Sequence, residues 1–155
     1  MQGRLIIICG LPGSGKTTVS RQLEATRKAF RLSADEWMDA LDINLWESAI
    51  RSRIEVLQWG VARDLLTLGN SVIIEWGTWG RDERDALREG ARDLGAAVEL
   101  HYLDVPVEEL WRRVQERNTE DPPMERSVLD KAAACFQTPD AEELSLFDMP
   151  PDLTP

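Results

Sequence analysis

Gly10-Leu11-Pro12-Gly13-Ser14-Gly15-Lys16-Thr17-Thr18 is the stretch of this chain best suited to chemistry. Gly10, Gly13 and Gly15 let the backbone curl so that successive N–H groups point inward, which makes a cradle for phosphate oxygens. Lys16 can reach the β- and γ-phosphates of a nucleotide, and the Thr17 hydroxyl is the expected Mg²⁺ ligand. The spacing is that of a P-loop, and the flanks agree with it. Leu5 to Cys9 is an apolar run short enough for a strand buried on both faces, and Thr17 to Lys28 is helix-compatible. The helix N-terminus adds partial positive charge at the same spot. The stretch is therefore expected to bind a nucleoside triphosphate, ATP with Mg²⁺.

Phosphoryl transfer needs four further things: a held nucleotide, a placed metal, an oriented acceptor that loses its proton, and positive charge on the transition state. Asp35 is the candidate general base, in a loop between an edge strand and a helix, with a first-turn helix charge as the plainer alternative. Glu75 ends the apolar strand Val72-Ile73-Ile74, where it would hold Mg²⁺ directly or through water, or else simply face solvent. Arg113 and Arg117 lie one helical turn apart before a Pro-containing break. A lid there would bring them against the phosphates; the alternative is a solvated face paired with Glu109 and Glu116. Arg81 and Arg84 follow the Glu75 loop and either reach the ligands or pair with nearby acids. Trp37, Trp46, Trp76 and Trp79 are candidates for an aromatic acceptor wall, against ordinary core packing. His101 reads as a packed or edge histidine.

The elements that must position these groups alternate strand with helix. After the first helix, Ala29 to Leu32 suits a short strand, and Ser33-Ala-Asp-Glu36 has capping-box form for a helix to about Leu41. Asn44-Leu-Trp-Glu47 repeats the signal before a long helix to Leu68. Its expected inward stripe is Trp46, Ile50, Ile54, Leu57, Val61, Leu65 and Leu68. Ser71 to Glu75 and Ala96 to Leu103 are strands, and Arg81 to Leu94 and the stretch from Pro106 to about Asn118 are helices. A small helical lid is expected around residues 112–126, then a helical stretch from Val128 to Phe136 and an acidic, Pro-containing tail over 138–155. This order predicts a single three-layer α/β/α domain with a mainly parallel sheet, ligands binding at the carboxyl ends of its strands.

At 155 residues the chain is long enough to bury a real core in one domain. Its net charge of −10 argues against non-specific binding to a phosphate backbone, so nucleic acid is not the expected partner. The two cysteines, Cys9 and Cys135, have no metal-ligand spacing and read as buried thiols. The N-terminal apolar run is too short for a membrane span, and without an export signal a cytoplasmic protein is expected, a monomer or dimer.

The P-loop, the Asp35 loop, Val-Ile-Ile-Glu75 followed by Arg84, and Arg113-x-x-x-Arg117 come in a familiar order. Over about residues 3–145 the chain resembles the P-loop kinases grouped with polynucleotide 5′-kinase, zeta toxin and chloramphenicol phosphotransferase, often labelled AAA-family ATP-binding proteins. The resemblance implies Lys16 and Thr17 for ATP-Mg²⁺, Asp35 as base, and lid arginines at Arg113 and Arg117. It also implies that Phe136-Gln-Thr-Pro139-Asp140 returns to the P-loop side near the adenine. Two departures stand out: Met38 occupies the place of an arginine in polynucleotide kinases, and Glu75 replaces the usual strand-end Asp, so it is a second candidate for the base. The activity implied is phosphoryl transfer from ATP to a hydroxyl of a small, partly aromatic acceptor. A nucleotide-binding regulatory ATPase and a 5′-hydroxyl polynucleotide kinase are the alternatives.

Overall fold

In the computed structural model, which describes residues 2–117 and 122–151, four strands form one parallel sheet. They are β1 (Arg4–Cys9), β2 (Phe30–Ser33), β3 (Ser71–Glu75) and β4 (Ala97–Tyr102), in the order β2-β3-β1-β4. The helices are α1 (Lys16–Arg27), α2 (Ala34–Ala40), α3 (Ser48–Thr67), α4 (Arg81–Asp93), α5 (Val107–Arg117), α6 (Arg126–Cys135) and α7 (Ala141–Ser145). The unbroken apolar run in β1 is explained by its neighbours. Leu5 and Ile7 join Val72, Ile74 and Val98 on the face covered by α3 and α4, while Ile6 and Ile8 join Ile73 on the face covered by α1. Every residue from Leu5 to Cys9 is fully buried, and each large aliphatic among them contributes about 1.5–3 kcal/mol of transfer free energy.

Leaving β1, the chain goes first to the β2–β3 side of the sheet and later, after β3, to β4 on the other side. The direction therefore switches between β1 and β3, and a crevice opens outside their carboxyl ends. The loops after β1 and β3 are tied across it by Gly10 N–H donating to the Gly77 carbonyl at 3.1 Å.

Two helix readings need correction. The buried side of α3 is Ile54, Gln58, Ala62 and Leu66, with Leu57 and Leu68 left 64% and 77% exposed. The helix is rotated by about one residue from the expected stripe, because the small Ala62 suits the close approach to the sheet. Gln58 also has interior partners: its Nε2 donates to the Ser33 carbonyl at 3.1 Å, and its Oε1 accepts from Trp76 Nε1 at 2.7 Å. The second correction is the start of α3. Asn44 Oδ1 accepts from the Trp46 N–H at 2.9 Å, an Asx turn, and the helix begins only at Ser48. By contrast Ser33 does cap α2, accepting from the Glu36 N–H.

The tail is more regular than its composition suggests. Asp140 caps α7, and Glu143 is buried with Arg84, whose side chain is fully enclosed. Arg84 Nε and Nη2 meet the two Glu143 oxygens at 2.5 and 3.0 Å, while its remaining donors satisfy the carbonyls of Thr78 and Gln137. Arg84 is thus a tie between α4, the loop after β3 and the C-terminal segment, its donors committed to protein partners. Of the cysteines, Cys9 is buried as expected but Cys135 is exposed. Residues 118–121 of the expected lid and 152–155 of the tail lie outside the described residues.

Arg84→Met leaves the Glu143 carboxylate buried and unpaired, and stability should fall by about 3–5 kcal/mol. Arg84→Met with Glu143→Leu should recover part of this, the orphaned carbonyls keeping the rest, as read by urea denaturation.

Candidate active site

The P-loop adopts the geometry its glycines require. Gly13 has φ +81° and Gly15, the cap of α1, has φ +94°, both in the left-handed region. A Cβ on Gly13 would also meet the Leu110 carbonyl oxygen at 2.9 Å, because α5 lies directly against the loop. Leu11 joins Leu110, Val114, Met124 and Leu129 in a small core between α5 and α6, so the loop and the helices that adjoin it are packed as one unit.

Lys16 Nζ turns back onto the loop, donating to the carbonyls of Gly10 and Leu11 at 3.1 and 3.0 Å. Burial is the main influence on its ammonium and lowers the pKa to about 8, while the negative charges of Asp35 and then Glu75 pull it back up. Arg117 pushes in the same direction as burial. These influences place Asp35, Glu75 and Arg117 within electrostatic reach of one lysine, although they come from three separate elements.

Glu75, at the end of β3, is almost wholly enclosed by polar partners. Its Oε1 accepts from Thr17 Oγ1 at 2.5 Å, and its Oε2 accepts from Ser20 Oγ at 2.6 Å and from Arg31 Nη1 at 2.8 Å. The alternative of a solvent-facing strand-end charge is therefore wrong. Both oxygens of Glu75 are engaged within the protein. Thr17 and Glu75 together offer a hydroxyl and a carboxylate side by side. That donor set suits Mg²⁺, which takes few protein oxygens and fills its shell from phosphates and water.

Asp35 sits in the first turn of α2 with its side chain 62% exposed, and Arg51 from α3 pairs with it. Arg51 also donates to the Leu45 carbonyl at 2.8 Å. One turn further along α3, burial lifts the Glu55 carboxyl to about 7, helped by the negative charges of Glu83 and Asp35 and opposed by Arg51. Glu36, by contrast, is drawn to Arg31 and Arg21 and held below the usual carboxylate range by them. Met38 is fully buried with Ala34 and Ile54, so it offers nothing to the cleft.

The remaining candidates divide. Arg113 pairs with Glu109 at 2.9 Å, as the solvated-face alternative requires, and Arg112 bridges Glu109 and Glu116. Arg117, the other lid arginine, lowers the Lys16 pKa through its charge. The aromatic wall does not assemble as one surface: Trp37 and Trp76 pack against the core, while Trp46 and Trp79 stay partly exposed. Trp46 Nε1 donates to the Pro122 carbonyl at 2.9 Å, linking the start of α3 to the segment before α6. His101 pairs with the buried Glu99 at 2.8 Å. The Phe136 segment returns to the mouth of the sheet, with Phe136 stacked on Tyr102 at 5.7 Å and Gln137 N–H bonded to the Trp79 carbonyl.

Sequence reasoning missed Arg51, Gln58 and Arg31. Arg51 and Arg31 are ordinary surface residues by local pattern, and only the crossing of α3 over α2 and the pairing of β2 with β3 bring them to Asp35 and Glu75.

A P-loop at the mouth of a parallel α/β sheet, with Thr17 and Glu75 in contact beneath it, defines a P-loop kinase-like domain. The AAA domain family model AAA_33 matches residues 5–139, and the chain belongs to that family. Solved structures agree on the fold. A chain of the Pnkp1/Rnl/Hen1 RNA repair complex superposes with a TM-score of 0.76 at 24% identity, over 95% of this chain and 47% of that one. A gluconokinase from Sinorhizobium meliloti 1021 gives 0.63 at 20% identity, over 88% of this chain and 77% of the other. The APS kinase CysC of Mycobacterium tuberculosis, in complex with AMPPNP and APS, gives 0.60 at 24% identity, over 72% and 68%. No helix among the described residues is long and apolar enough to cross a membrane.

A bound triphosphate raises the pKa of Lys16, so binding above pH 8 must take up a proton. Affinity for ATP is therefore expected to fall as pH rises past about 8, by up to about tenfold per pH unit. Calorimetry in buffers of different ionisation enthalpy measures the uptake directly, and Lys16→Met should abolish it.

Proposed function

We propose that the chain is a Mg²⁺-dependent kinase that transfers the γ-phosphate of ATP to a hydroxyl of a small-molecule acceptor, with Asp35 as general base. The observation that carries this reading is that the charge of Asp35, on α2, reaches Lys16 on the P-loop. The Asp35 carboxylate is the strongest negative influence on the Lys16 ammonium, yet it projects from the first turn of α2 with its side chain 62% exposed. An acceptor hydroxyl seated between them is close to both a base and a phosphate site.

Asp35 takes the acceptor proton as the acceptor oxygen bonds to the γ-phosphorus; the bond to the β–γ bridging oxygen breaks, and ADP leaves with that electron pair. Lys16 and the P-loop amides hold the phosphates and offset their charge, and Arg117 adds positive charge from the lid side. When bound, Mg²⁺ would be held by Thr17 and Glu75 and would neutralise charge on the nucleotide phosphates. Arg51, paired with Asp35, orients it. The gluconokinase and the APS kinase sharing this fold support a small acceptor. The net charge of −10 suits an anionic polynucleotide poorly.

Asp35→Asn is expected to lower γ-phosphate transfer about 10²–10⁴-fold while leaving ATP binding intact. The measurement is transfer from labelled ATP to a panel of sugars, nucleosides, aromatic alcohols and a 5′-hydroxyl oligonucleotide. Unchanged transfer by the variant would refute the base assignment. ATP binding with no transfer to any member would instead favour a regulatory ATPase. In the same assay Arg117→Ala should reduce kcat at least about tenfold, with Arg113→Ala close to wild type because Arg113 is committed to Glu109.

A further inference from the structure

The outer side of α3, opposite its buried side, is apolar where solvent should favour charge. Val56 is 72% exposed, Leu57 64% and Val61 36%, and Leu68 continues the line at 77%. At the middle of this strip stands Gly60, which costs about 1 kcal/mol relative to alanine inside a helix. Nothing lies within 4 Å of the position its Cβ would take, so no contact within the monomer accounts for the glycine. Arg53 and Asp64 bracket the strip on the same face, and neither makes an ion pair or side-chain hydrogen bond among the described residues.

We infer that this face pairs α3 with α3 of a second copy, antiparallel, about a two-fold axis that passes between Gln58 and Trp59. The spacing is self-complementary about that point. Arg53 falls opposite Asp64 of the second copy, Val56 opposite Val61, Leu57 opposite the gap at Gly60, and Leu68 opposite the small, exposed Ala49. A two-fold axis repeats each pairing, so two ion pairs flank the central valines and two leucines enter two glycine gaps. Charge order alone sets the direction: a parallel pair would put Arg53 beside Arg53 and Asp64 beside Asp64. The glycine lets the two helix axes approach near the lower end of the usual 8–10 Å separation. Arg51 projects from the other side of α3, towards Asp35, so the pairing leaves the crevice of each copy open. This inference stands apart from the transfer chemistry.

Sedimentation equilibrium across a wide range of concentrations tests it. The wild type should show reversible association to twice the 17.5 kDa chain mass. Leu57→Asp should abolish association. Gly60→Gln should weaken it by about tenfold or more, although glutamine is the better helix former and should not weaken the monomer. Asp64→Arg should also weaken it, and adding Arg53→Asp to that variant should restore it, since the swap rebuilds both ion pairs with their signs exchanged. ATP binding by each variant reports that the monomer is folded. A wild type that stays monomeric throughout overturns the inference, as does a dimer indifferent to Leu57→Asp or a charge swap that fails to rescue.

Discussion

The Glu75 carboxylate, gripped from three sides, is the contact on which the geometry of the crevice rests. It ends the buried strand β3, yet its two oxygens reach the first turns of α1 through Thr17 and Ser20 and the edge strand β2 through Arg31. A charge so enclosed is tolerable only because every partner is in place; loss of one would leave a buried carboxylate short of a hydrogen bond. The same requirement fixes the rotation of α1 about its axis and with it the direction of the Thr17 hydroxyl.

A second set of polar ties extends this order outward. Gln58, enclosed beneath α3, holds the carbonyl of Ser33 and the indole of Trp76, so the residue that caps α2 and the loop that leaves β3 are located by one amide. Asp35 stands two residues beyond that cap, and Arg51, two turns before Gln58 on the same helix, grips it from the open side. Arg84 and Glu143 do the equivalent work on the far side, fastening the C-terminal segment to the loop after β3. The crevice is therefore bounded by loops, but each loop is anchored by a buried side chain on a helix or strand.

Much of this was legible beforehand, and for physical reasons. Three glycines before Lys16 and Thr17 can serve few purposes, and an apolar run without alternation fits only a strand covered on both faces. The Ser33 cap, the strand ending in Glu75 and the inward Leu87 and Ala91 of α4 follow from local pattern in the same way. Where the pattern misled, a polar or small residue had a reason to be inside. Gln58 and Ala62 occupied places assigned to Leu57 and Val61, because periodicity counts apolar atoms and cannot see that an amide has partners waiting in the core. Arg84 looked available for ligands and is instead enclosed against Glu143, a residue 59 positions away.

The amino-acid order by itself determined the phosphate loop, the alternation of strand and helix, and the strand-end carboxylate Glu75 that ends up against the loop. Those depend on backbone freedom, on short-range capping and on hydrophobic period, all of which act within a few residues. Only the tertiary structure decided which of several arginines meets which distant acid: Arg51 with Asp35, Arg31 with Glu75, Arg84 with Glu143. A guanidinium reaches several residues in any direction, and in an arginine- and acid-rich chain many pairings are locally equivalent until packing removes all but one.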